Sequence, residues 1–174
     1  GLLYVLLAHS DSAGEGGSGI GWTLRVVDVF TDPTCPLPVG QVAGANAGSP
    51  RALAFRNEQL AYVLSGDGWG GTVSVVDCGD PTQPRLVRTW PVPAGEVHGL
   101  LSLDGWLGIA CGSAGLYVMD AWDPRHPVGT GYAALPGEVL ALAGDSERVI
   151  AACGEAGLTI LDPLDPACPV TAEI

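Results

Sequence analysis

The sequence predicts an all-β fold: a β-propeller of four blades, each of about four antiparallel strands, with the first blade lacking its inner strand. Three observations carry that prediction: a recurring Asp-Pro signature, a repeat period in the forties, and short apolar runs punctuated by Gly and Pro. The signature reads "VVDVFTDPTCP" from Val26, "VVDCGDPTQP" from Val75, "VMDAWDPRHP" from Val118 and "ILDPLDPACP" from Ile160. Its landmark aspartates, Asp28, Asp77, Asp120 and Asp162, are 49, 43 and 42 residues apart. The stretch "EVHGLLSLDGWLGIACGSAGLYVMD" from Glu96 overlies "EVLALAGDSERVIAACGEAGLTILD" from Glu138 without a gap, at a constant offset of 42 residues.

The elements follow in chain order. "LLYVLLA" (Leu2 to Ala8) aligns with "LAYVLSG" (Leu60 to Gly66), so the chain opens on the second strand of blade 1. The blades then span 1–48, 49–94, 95–136 and 137–174. In blade 3 the four strands fall at Val97 to Leu103, Trp106 to Cys111, Leu116 to Asp120 and Val128 to Ala134. Second and third strands such as "LAYVL" and "VIAAC" are almost wholly apolar, as expected where neighbouring blades cover both faces of a sheet. Asp-Pro opens a turn whose carboxylate accepts from nearby backbone N–H groups, and the second Pro closes it before the fourth strand. "PVTAEI" reads as the fourth strand of blade 4. An open edge and an uncovered apolar face are liabilities, so further blades, or association with another chain, are expected to close the ring.

The run "GLYVMDAWDPRHPVGTGYAALPGEV" resembles the LVIVD-repeat β-propellers. Their units pass through Gly-Leu-x-Val-hydrophobic-Asp, Asp-Pro-x-x-Pro, a Val-Gly strand and a Pro-Gly turn. The resemblance covers nearly the whole chain and is strongest in blades 3 and 4; blades 1 and 2 depart from it in the loops between second and third strands. It implies a propeller, commonly of secreted or surface-associated proteins, and supplies no catalytic residues. An extracellular or cell-surface location is the expectation that follows.

Composition narrows the function. The 174 residues are 47% apolar, enough for a sizeable core. Nineteen acidic residues against seven basic ones, all Arg, give a net charge of −12. That balance disfavours nucleic acid, which needs a basic patch. No apolar run approaches the roughly 18 residues of a membrane span. Five cysteines without a Cys-x-x-Cys spacing signal neither a zinc site nor a disulfide framework. Cys111 and Cys153 read as small core residues, too far apart to bridge across blades.

Candidate sites gather on the face where loops between second and third strands meet loops between blades. Those loops are compact in blades 3 and 4 but extended at Asp67 to Thr72 and at His9 to Thr23. Each extended loop carries a Trp beside glycines, Trp69 and Trp22, read as uncovered indoles that stack on a glycan or grip a partner protein, or else as caps on the blade edges. Asp11, Glu15 and Asp67 form the expected polar rim. Glu96 and Glu138 occupy equivalent places before the first strands of blades 3 and 4, and His98 follows Glu96. They are expected to act as turn carboxylates or to converge at the channel mouth. His9, Asp11 and Glu15 offer metal ligands, but no spacing rule joins them, so neither metal nor cofactor is expected. The function expected is a non-catalytic binding or structural module. The alternative is an enzyme with a loop-face pocket using the carboxylates and His98, for which no nucleophile or phosphate motif is present.

Overall fold

The structure, a computed structural model, describes residues 1–10, 20–44, 48–162 and 165–170. It is all-β, with four antiparallel sheets that follow one another along the chain. The first sheet holds β1 (Leu2–Ser10), β2 (Ile20–Asp28) and β3 (Leu37–Gly44). The second holds β4 (Ser49–Asn57), β5 (Leu60–Gly66), β6 (Gly71–Asp77) and β7 (Arg85–Val92). The third holds β8 (Gly99–Leu103), β9 (Trp106–Ala110), β10 (Leu116–Asp120) and β11 (Val128–Ala133). The fourth holds β12 (Ala141–Gly144), β13 (Val149–Ala152), β14 (Leu158–Asp162) and β15 (Asp165–Val170). Every sheet is a meander in chain order, and β1 lies at the edge of its three-stranded sheet.

The apolar runs form strands rather than helices because their alternate residues feed two different cores. In β5, Leu60, Tyr62 and Leu64 pack toward the third sheet, while Ala61 and Val63 pack toward the first. In β10, Tyr117 and Met119 join the core shared with the second sheet, and Leu116 and Val118 join the core shared with the fourth. A period of two therefore sorts one run onto two faces, and both are dry. The three cores lie between consecutive sheets.

The Asp signature punctuates as expected in three of the four repeats. Asp28 Oδ1 accepts from the backbone N–H of Phe30 at 2.8 Å, Asp77 Oδ1 from Gly79 at 2.9 Å and Asp120 Oδ1 from Trp122 at 2.9 Å. The second Asp repeats the device: Asp32, Asp80 and Asp123 accept from Thr34, Thr82 and Arg125. Each is an Asx turn, with the side chain standing in for a backbone carbonyl. In the fourth repeat, residues 163 and 164, which follow Asp162 in the turn, lie outside the described residues; Asp165 opens β15, which pairs along β14 with Ile160 opposite Val170. Residues 171–174, expected to form the body of that strand, lie outside the described residues.

Candidate functional site

The loop between β5 and β6 is a pinned turn. Asp67 Oδ1 accepts from the N–H groups of Trp69 at 2.9 Å and Gly70 at 3.0 Å, and the Asp67 N–H donates to the Gly70 carbonyl at 3.2 Å. Those two donated N–H groups hold the Asp67 carboxyl below its ordinary range. Gly68 takes φ of +90°, the left-handed region where glycine carries no Cβ penalty. The outcome is an indole held away from the sheet: Trp69 is 91% exposed.

Beside this turn, the segment entering β8 presents Glu96 and His98. Val97 between them is 4% exposed and seats itself against two glycines of the second sheet. A Cβ on Gly66 would lie 2.6 Å from Val97 Cγ2, and one on Gly71 would lie 2.5 Å from Val97 Cγ1. The His98 N–H donates to the Ala110 carbonyl at 2.9 Å, so the chain is already bonded to the end of β9 just ahead of β8. Residues two apart on a strand share a face. With Val97 turned into the core, Glu96 and His98 turn outward together, and Glu96 Oε2 stands 3.5 Å from His98 Nε2. They lie over Gly112, where a Cβ would come within 3.2 Å of His98 Nε2.

A cavity of about 230 Å³ opens here, lined by Arg51, Gly66, Gly68, Glu96, Val97 and His98. The equivalent junction between the third and fourth sheets is closed. There Gly112 and Val139 exchange two backbone hydrogen bonds, at 3.0 and 2.9 Å. Among the described residues no such exchange joins Gly66 to Val97, because Gly66 stays in the sheet, paired with Gly71 on one side and Ser49 on the other. The extended β5–β6 turn thus keeps one junction open and supplies its rim.

The expected residues separate into groups. Glu96 and His98 line one cavity together with Gly68, and Asp67 and Trp69 flank that glycine in the β5–β6 turn. Glu138 is exposed. Leu140 occupies the place equivalent to His98, and no group of three His, Cys, Asp or Glu side chains is placed to hold a metal among the described residues. Asp11 and Glu15 lie outside the described residues. Trp22 requires a correction: it is fully buried, in the core with Leu24, Ala61, Val63, Val76 and Cys78. The glycine that governs it is not its sequence neighbour but cross-strand Gly44, where a Cβ would lie 2.5 Å from Trp22 Cε2. His9 lies in β1, where its Nδ1 is 3.3 Å from Thr23 Oγ1. His126 Nδ1 is 2.9 Å from Asp123 Oδ2 in the exposed turn before β11. Cys35, Cys78, Cys111 and Cys153 are free thiols. Arg51 is the residue that sequence reasoning missed. The repeat alignment sets it over buried Val97, but β4 pairs Pro50 with Ser65 and Ala52 with Leu64, leaving Arg51 as a bulge. A bulge re-aims one side chain, here onto the cavity.

No protein-family model matches this chain, and no curated protein matches it in sequence. Among solved structures it is similar to the computationally designed Ika8 protein, with a TM-score of 0.62 and 18% identity. The likeness covers 87% of this chain and 45% of that one, so this chain spans under half the length of the designed protein. At that identity the likeness concerns the fold alone.

Proposed function

We propose that this chain is a β-propeller segment, with its four sheets as the blades at 1–48, 49–94, 95–136 and 137–174, acting as a non-catalytic binding or structural module. The extracellular or surface-assembly setting follows from the resemblance of its repeats to LVIVD propellers. The observation that carries the binding role is Trp69: an indole 91% exposed, on a turn pinned by Asp67 whose Gly68 lines a polar cavity. Such a side chain contributes most when a partner, protein or glycan, covers it. Exposed Leu3 and Leu7 on the first sheet and Ile150 and Leu158 on the fourth support association with further blades or another chain. In the inner sheets the equivalent positions Ala61 and Leu116 are fully buried by a neighbour.

The pairing of Glu96 with His98 supports a second reading, acid–base chemistry in the same cavity. The lining residues include no hydroxyl or thiol nucleophile, which favours the binding role. The test is Trp69→Ala, assayed for retention of a co-purifying partner and for thermal melting. The expected result is a loss of retention of about tenfold or more with an unchanged melting temperature. Unchanged retention overturns the binding role of this turn.

A further inference from the structure

Building on that binding role, we infer that the cavity between the second and third sheets takes one residue of a neutral saccharide, with Trp69 as its stacking platform. The first argument is the donor and acceptor set. Arg51 offers only donors, the Glu96 carboxylate only acceptors, and the His98 ring, its Nε2 turned toward Glu96, offers Nδ1 as an acceptor. A sugar hydroxyl is donor and acceptor at once, so vicinal hydroxyls satisfy such a mixed set without leaving a group unmatched.

The second argument is shape. About 230 Å³ corresponds to roughly eight liquid-water volumes, room for a single hexose ring and too little for an extended peptide. Gly66 and Gly68 also line the cavity and place no side chain in the space. Trp69 follows Gly68 directly, and its indole face is free to meet the C–H face of a ring bound there. The turn beneath it is already ordered by Asp67, so little conformational freedom is lost on binding.

The third argument is charge. An anionic ligand drawn to Arg51 would meet Glu96 across the cavity and a chain of net charge −12 around it. A neutral ligand avoids both.

The experiment titrates the full chain with neutral oligomers of glucose, galactose, mannose and N-acetylglucosamine, followed by calorimetry and by tryptophan fluorescence. A hexuronate oligomer and an acidic peptide serve as comparison arms. At least one neutral oligomer is expected to bind, with a blue shift in emission that Trp69→Ala abolishes. Affinity should fall about tenfold or more in Trp69→Ala, recover in part in Trp69→Phe, and fall severalfold in Arg51→Gln and Glu96→Gln. Circular dichroism confirms that each variant is folded. The inference is overturned if no neutral oligomer binds, if the hexuronate or the peptide binds more tightly, or if Trp69→Ala leaves saccharide affinity unchanged. Should saccharides fail while Trp69→Ala still releases a protein partner, the saccharide inference falls and the binding module stands; if both fail, both readings fall.

Discussion

Trp22 and Trp69 each follow a glycine, yet one is fully buried and the other is 91% exposed. The difference predicts opposite consequences of truncation. Trp22→Ala removes a core indole packed over Gly44 and is expected to cost about 3–5 kcal/mol, whereas Trp69→Ala should stay within about 0.5 kcal/mol of wild type. Urea denaturation of the two variants checks this. Buried thiols make a second prediction. Burial, with the neighbouring Asp77 charge, pushes Cys78 up to about 11, and burial pushes Cys111 up to about 11. A group whose pKa is raised on folding contributes stability that is present below its unfolded value and lost as pH climbs toward the folded one. Thermal melting should therefore fall between about pH 9 and 11, and more shallowly in the Cys78→Ala, Cys111→Ala double variant.

At the scale of elements, turns are specified by carboxamide and carboxylate oxygens. Asn57 accepts from Gln59 and Leu60, Asp67 from Trp69 and Gly70, and Asp145 from Glu147 and Arg148. The predicted signature of the pinned β5–β6 turn is selective. Asp67→Asn keeps an acceptor oxygen and should preserve Trp69 fluorescence anisotropy; Asp67→Ala should lower it and cost about 1 kcal/mol. Equal anisotropy in both variants would show that the turn orders itself without the carboxylate.

For the whole molecule, stability is distributed over three cores between four consecutive sheets. The second and third sheets are covered on both faces, while the first and fourth present Leu3, Leu7, Ile150 and Leu158 outward. Such a stack behaves as a sum of units and nearest-neighbour interfaces. Amide exchange in the chain as given should accordingly be slowest in β5, β6, β9 and β10 and faster in β1, β12 and β13. Ion pairs add a second link between the middle sheets: Arg125 reaches Asp77 at 2.7 Å, and Arg56 meets Asp104. Both are partly exposed, so their contribution is small beside that of the apolar core.

The sequence by itself determined the order of the strands and the position of most of them, because these rest on local information: period-two apolar runs, Asx-turn aspartates, and an offset of 42 residues that repeats without a gap; it missed the last strand, which begins at Asp165, and the reach of β1 and β2 to Ser10 and back to Ile20. The third-sheet strands β8 to β11 fall where the pattern of "EVHGLLSLDGWLGIACGSAGLYVMD" and its sequel puts them, within about two residues. What surrounds a side chain is another matter. Trp22 is buried because Gly44, opposite it on the neighbouring strand β3, leaves space for its ring. Arg51 reaches the cavity because β4 bulges there against β5. Glu96 meets His98 because Val97 between them anchors in glycines of the preceding sheet, whereas Leu140 stands at the equivalent place after Glu138. These outcomes depend on contacts between residues far apart in the chain, which local periodicity does not encode, and only the tertiary structure decided them.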